Sequence, residues 1–387
     1  MQSRPLSQLT DNELLSLLRS TQSLSGGSRE ERYLLDRLAS SLGVPSQGTK
    51  TTLRDAEIIT KSQCEHDFSK FVEAAFAAIE PETEFISNWH ITAVCNHLVA
   101  CYDGVLENLI INVPPGSMKS LITSVFFPAW VWIHDPSQRF MHVSYDQQLS
   151  TRDSQRCRAL IQSDWYRNLW GDVYRMAGDL NRQMKFQNNH GGWRIATSTA
   201  GRGMGEHPHW LMVDDANDTR KAHSEVALRA VREDWWDGAM SSRGRMLKGH
   251  HRIVTQQRVA VKDLTGHVLT KHGGDATVLK DPGKWHHLIL PMEFEEELKC
   301  RTPIFEDPRS AEGQLLWPTG FDADLVAAIK IDMGPLTAAG QLQQRPTVAG
   351  GTLFKSEWMT TIEGLATEWL APVFGRAVKP LDLGAIG

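Results

Sequence analysis

The chain is poor in cysteine and has no CxxC pair. Five cysteines, Cys64, Cys95, Cys101, Cys157 and Cys300, are scattered over 387 residues. An odd, dispersed set argues against a disulfide framework or a thiolate zinc site and fits a reducing cytoplasm. Long apolar runs are missing too. The most apolar stretch, Leu121 to Ile133, is broken by Pro128 and is too short to span a bilayer. The opening MQSRPLSQLTDNE has no apolar h-region, so no signal peptide is expected. Positive charge is not in excess: 41 Lys and Arg stand against 46 Asp and Glu, a net charge of -5. Any contact with nucleic acid would need a local basic patch. Internal repeats and low-complexity tracts are absent. What remains, 41% hydrophobic and 22% charged residues, is the composition of a globular protein. Its length suits one large domain with appendages.

Residues 1–62 read as a helical arm and linker. Thr10 with Glu13, and Ser28 with Glu31, are spaced as capping boxes ahead of two apolar-periodic stretches, and Gly43 can end the second helix. From about residue 63 to 335 the texture is that of one α/β domain. Six short apolar runs alternate with helical patterns: 109–113, 139–145, 193–198, 210–214, 252–256 and 287–291. Continuous apolar strands between helices predict a buried, mostly parallel sheet flanked by helices. Residues 336–387 read as a linker and the start of a further region, rich in Gly and Pro at its end.

Three strand ends carry chemistry. After LIINV comes Pro114-Pro115-Gly116-Ser117-Met118-Lys119-Ser120. A phosphate cradle needs a strand, a tight loop and a helix opening at Lys-Ser, and this context fits. The glycine pattern GxxxxGK[ST] does not, since Val113 and Met118 stand in the glycine positions. An ordinary strand-to-helix turn capped by Ser117 is the plainer reading. Next, WLMVD ends in Asp214-Asp215, the form of a Walker B strand. Its first acid would hold Mg²⁺ and its second would polarise water; a solvated Asp-Asp turn is the alternative. Finally RIVTQ ends in Thr255, Gln256, Gln257 and Arg258, polar groups able to sense a phosphate.

With the segments NWHITAVCNHLVA, VSYDQQLSTRDSQRCRALIQSDWYRNLWG, GQLLWPTGFD and AAGQLQQRPTVAGGTLFKSEW, these motifs resemble the large terminase subunit of tailed bacteriophages from about residue 66 to 358. The resemblance implies a P-loop NTPase fold of the ASCE type that uses ATP and Mg²⁺ to translocate double-stranded DNA into a procapsid. On that reading Lys119 and Ser120 match the Walker A lysine and hydroxyl. Asp214 is the magnesium-side acid, and Asp215 stands where better-known members have Glu. Thr255 to Gln257, with Arg258 beside them, match the coupling motif. Trp89 and His90 resemble the segment that contacts adenine. Pro115 stands where some members place an arginine. The transition-state cation would then come from elsewhere, and Arg152 is favoured over Arg156, Arg158 and Arg202. The resemblance also implies a portal protein and a small terminase subunit as partners, and a homo-oligomeric ring, commonly a pentamer. It places the protein in the host-cell cytoplasm, transiently at the portal vertex and outside the virion. The nuclease domain of the family is expected to be absent, because Asp382 stands isolated.

Two further readings stay open. A non-hydrolysing structural or assembly module would also suit the degenerate loop. A metal hydrolase built on His207, His209 and Asp214 has two of the ligands it needs in sequence but no further ligand motif. For DNA, the densest basic stretch is SSRGRMLKGHHR, which nominates Arg243, Arg245 and Lys248.

Overall fold

In the computed structural model, the described residues are 53–347, apart from 182, 202–204, 244–249, 276 and 278–283. The proposed arm up to residue 52, Arg202, Arg245, Lys248 and everything from 348 onward, Asp382 included, lie outside them. In chain order the elements are α1 (Leu53–His66), α2 (Phe68–Ile79), α3 (Trp89–Tyr102) and β1 (Asn108–Asn112). A π-helical segment, Leu121–Phe126, then runs into α4 (Phe127–His134). Next come β2 (Phe140–Ser144), α5 (Gln147–Gln162), α6 (Asp164–Trp170), β3 (Met176–Asn181), β4 (Lys185–Asn188), β5 (Trp193–Ser198) and β6 (Trp210–Asp214). They are followed by α7 (Glu225–Arg229) with a π-helical continuation Ala230–Ala239, then β7 (His251–Gln256), α8 (Leu264–Lys271) and β8 (Trp285–Ile289). The short β9 (Arg301–Thr302) and β10 (Phe305–Glu306) precede α9 (Ala323–Met333) and α10 (Pro335–Gln341).

Eight strands form one sheet in the order β3-β4-β5-β2-β6-β7-β1-β8. From β5 to β8 every pairing is parallel. Only the β3–β4–β5 edge is antiparallel. The expected α/β architecture is therefore present, and each of the six apolar runs is one of the six parallel strands. Their side chains alternate between two cores, as period 2 requires. Leu109, Ile111, Phe140, Trp210, Met212 and Ile253 face the core under α2 to α6. Ile110, Met141, Val143, Leu211, Val213 and Val254 face a smaller core with Trp235, Trp236, Leu264 and Val268. Burial of each such side chain contributes about 1.5–3 kcal/mol before chain entropy is subtracted.

The edge strands β3 and β4 did not stand out in the sequence. MAGDLN and KFQN are polar and short, and they pair at an edge where such residues are tolerated. The domain limits also differ from a simple reading. α1 crosses the 62/63 boundary, and past residue 335 the chain is still tied in: Met292 N–H donates to the Leu342 carbonyl (2.9 Å) and Arg258 N–H to Gln344 Oε1 (3.1 Å).

The helix after the loop opens as π rather than α, and Pro128 supplies a physical reason. Proline has no N–H for the carbonyl four residues back, that of Ser124. That carbonyl instead accepts from Arg194 Nη2 (2.9 Å), a fully buried arginine on β5. All five cysteines are buried and free, and burial pushes the Cys157 thiol up to about 11 and Cys64 and Cys300 to about 12. No helix among the described residues is long and apolar enough to cross a membrane.

Candidate active site

The C-terminal ends of β1, β6 and β7 lie side by side, with β7 between the other two. In open α/β sheets this edge is where ligands bind. The loop leaving β1 is tightly curled. Gly116 has φ +80° and Met118 φ +62°, so two of three consecutive residues are left-handed. Glycine adopts this freely, whereas methionine is strained there at a cost of about 1–3 kcal/mol. The backbone thus holds a glycine-like conformation at a position where the sequence has none. Ser117 Oγ donates to the Pro114 carbonyl (2.6 Å) and closes the turn from inside. A Cβ at Gly116 would stand 2.6 Å from Phe321 Cζ, so the Phe321 ring packs directly over the loop.

Lys119 is buried, and its Nζ donates to Asp215 Oδ2 at 2.8 Å. Its pKa is raised: burial opposes the charge, but Asp215 and Asp214 more than offset that penalty. Asp214 moves the other way. Burial first, then the Asp215 charge, lift its carboxyl to about 7, against the opposing pull of Lys119 and a hydrogen bond from the Ser120 hydroxyl. Ser120 and Asp214, named separately in the sequence, are therefore close enough to interact.

Asp215 sits in a left-handed conformation, φ +48°. Its N–H donates to the Thr255 carbonyl (2.9 Å), and its carbonyl accepts from Tyr145 N–H (2.9 Å). The side chain is shared between two partners, Lys119 on Oδ2 and the Gln257 N–H on Oδ1 (3.2 Å). This second bond ties the acid to the polar end of β7. Around it stands a group of buried atoms with no partner among the described residues: Asp214 Oδ1, Thr255 Oγ1, both amide atoms of Gln256 and Gln257 Oε1. Each such orphan costs about 1–3 kcal/mol, an expense proteins retain where a ligand or water completes the bonds.

The other sequence-named residues divide. Arg258 is fully buried and paired with Asp263 through Nε (3.0 Å), so it acts as an anchor for the chain leaving β7. His90 is buried against the Ser117 backbone, and desolvation lowers it to about 4; Trp89 stacks on Phe305 (centroids 6.0 Å apart) with the Arg309 guanidinium over its ring. Both rings flank the loop; Trp89 packs on protein groups, whereas His90 meets Asn88 through Nδ1 and its buried Nε2 has no partner among the described residues. Arg152 is half-exposed on α5 and bonds to Asp153, while Arg156 is paired with Glu80 (2.7 Å). Arg243 precedes β7, whose far end carries Gln256. His209 accepts the Arg139 N–H (3.1 Å), and among the described residues no group of three His, Cys, Asp or Glu is placed to hold a metal ion. His207, His209 and Asp214, the three residues of the histidine-based reading, are therefore not gathered into one site.

Two residues of the site escaped the sequence reading. Asp153, buried on α5, adds a third carboxylate whose charge acts on both Lys119 and Asp214. Phe321 lies in the quoted segment LLWPTGFD, but no local pattern announces that it will cover Gly116.

No family model and no curated protein matches the chain. Among solved structures it is similar to the HK97 bacteriophage large terminase, with a TM-score of 0.40 and 12% identity over 59% of this chain. The match spans 44% of that protein, less than half its length.

Proposed function

We propose that the chain is an ATP-hydrolysing motor domain related to phage large terminases, moving double-stranded DNA at the expense of ATP. One observation carries the reading: the buried, partnerless atoms of Asp214, Thr255, Gln256 and Gln257 lie at the same sheet edge as a strained Lys-Ser loop. The shared motifs support the terminase relation. The strand order supports the P-loop class, with one strand between the loop-bearing β1 and the acid-bearing β6.

Lys119 and the loop N–H groups would take the phosphates. Ser120 and Asp214 would hold Mg²⁺, and the free Asp214 Oδ1 fits that role. Bound there, the metal would neutralise charge on the phosphate oxygens. Asp215 would act as the base. Water attacks the γ-phosphorus, the β–γ bridging P–O bond breaks toward ADP, and the water proton passes to Asp215. Lys119 Nζ lies on Asp215 Oδ2, so the phosphates would have to draw Lys119 away before Asp215 could accept a proton. The Gln257 N–H on Asp215 Oδ1 would carry the resulting change into β7 and the chain beyond. We further propose a portal protein and a small terminase subunit as partners, a ring of copies when active, and action at the portal vertex in the host-cell cytoplasm.

The test is ATP turnover against protein concentration, with and without double-stranded DNA, beside Lys119→Ala. Turnover lost in the variant supports the motor. If no turnover occurs under any condition and a fluorescent ATP analogue does not bind, the motor reading fails. The non-hydrolysing module, which the methionine in the loop favours, then replaces it.

A further inference from the structure

Among the described residues three that are not glycine adopt a left-handed backbone: Met118 (φ +62°), Asp215 (φ +48°) and Gln344 (φ +55°). Such strain persists where the surroundings over-determine the conformation, and it gathers at functional sites. The first two belong to the candidate active site. Gln344 stands just past α10 and is fully buried.

Its amide is fully used. Gln344 Oε1 accepts the Arg258 N–H (3.1 Å), and Nε2 donates to the Gln341 carbonyl (2.6 Å). The same stretch of chain meets Arg258 a second time, because a Cβ on Gly340 would stand 2.9 Å from the Arg258 carbonyl oxygen. Asp263 holds the Arg258 guanidinium. Arg258 is therefore confined at its N–H, its carbonyl and its side chain. On the other flank, Met292 N–H donates to the Leu342 carbonyl (2.9 Å) and Glu293 N–H to Gln343 Oε1 (3.1 Å), while Gln343 Nε2 donates to the Glu293 carbonyl (3.1 Å). Arg258 follows β7, Met292 follows β8, and β1 lies between those two strands. Residues 340–344 thus clasp the chain on both sides of the strand that delivers the Lys119 loop.

The β7 side leads directly to the acid. Gln257 precedes Arg258, and its N–H is the donor on Asp215 Oδ1 (3.2 Å). The Arg258 N–H lies in the rigid peptide plane that starts at the Gln257 Cα. Fixing that N–H on Gln344 limits how Gln257 can turn. We propose that Gln344 is a positioning residue for the candidate active site, holding the Gln257 N–H on Asp215 by fixing the peptide that follows it. Its effect on turnover rests on the nucleotide site proposed above. Misplacing a reacting group by about 1 Å can cost about 100-fold in rate, so a residue that never touches the nucleotide can still govern kcat.

The test compares the full chain as wild type, Gln344→Met and Val326→Ala. Methionine keeps the length of the side chain and removes both of its hydrogen bonds. Val326 is buried on α9 and has none of the bonds above, so it controls for lost stability. Amide hydrogen exchange resolved by NMR is read without nucleotide, against the amides of β2. Gln344→Met should speed exchange at both Arg258 and Gln257 by about tenfold or more. With double-stranded DNA and ATP it should lower kcat about 10- to 100-fold and shift KM less than about threefold. Val326→Ala should leave kcat and the Gln257 exchange unchanged below its melting temperature.

Equal losses of kcat in the two variants, or faster exchange at Arg258 with Gln257 unchanged, would mean that Gln344 serves only the fold and would overturn the proposal. Failure of a fluorescent ATP analogue to bind wild type would instead refute the nucleotide site. The exchange at Gln257 would still decide whether Gln344 holds it.

Discussion

Asp214 gives the sharpest prediction. Its carboxyl is buried, has one oxygen without a partner and lies beside Asp215, and these together lift it from an ordinary 3.8 to about 7. A raised carboxyl binds its proton more tightly in the folded state than in the unfolded chain. The associated stability is complete below the unfolded value and is lost as pH rises toward about 7. Between pH 5 and 8 the folded protein must ionise Asp214 against its surroundings. About two pH units of that range lie below the folded value, and at 1.36 kcal/mol per unit the loss is about 3 kcal/mol. Asp214→Asn cannot ionise and escapes this loss. Its stability relative to wild type should therefore improve by about 3 kcal/mol from pH 5 to pH 8, or roughly 4 °C in melting temperature. The assay is thermal or urea unfolding of both proteins, free of nucleotide and metal, across that range. Parallel profiles for the two proteins would refute the assignment of a raised Asp214 carboxyl. A gain at high pH would identify the acid as a residue kept at the expense of stability.

Other changes should be as specific. Gly116→Ala combines a left-handed φ of +80° with a Cβ 2.6 Å from Phe321, so it should weaken binding of a fluorescent ATP analogue at least tenfold and lower stability by about 1–2 kcal/mol. Asp263→Ala removes the acceptor for Arg258 Nε and for the N–H groups of Val259 and Gly266, leaving a buried guanidinium unpaired. A loss of about 3–5 kcal/mol in urea unfolding is expected. Neutralising Arg243, Arg245 and Lys248 together should flatten the salt dependence of DNA-stimulated turnover by up to about three phosphate contacts; an unchanged slope would remove this stretch from the DNA interface.

The parallel sheet was legible because its strands are apolar on both faces, and each of the six runs from Leu109 to Pro291 is a strand within two residues at either end. The loop and the Asp-Asp pair were legible as strand ends in the right order. The glycine conformation at Met118 was not, because backbone strain leaves no mark on residue type. Asp153 was missed for a related reason. In TRDSQRCR it reads as one more charge on a solvated helix face, and only the packing of α5 turns it inward. Arg258 reads as a polar group at a strand end, yet its partner Asp263 lies five residues on, in the cap of α8, where sequence alone suggests no buried ion pair.

The position of β7 fixes the distance between the loop and the two acids. With one strand between β1 and β6, the loop and the two acids stand two strand spacings apart, about 9.5 Å. Parallel ladders on both sides of β7 hold that spacing along its length. The separation is therefore set by the number of strands in the sheet and cannot be tuned by small changes in the loops. Loop substitutions change the side chains at that separation, which Lys119 spans to reach Asp215.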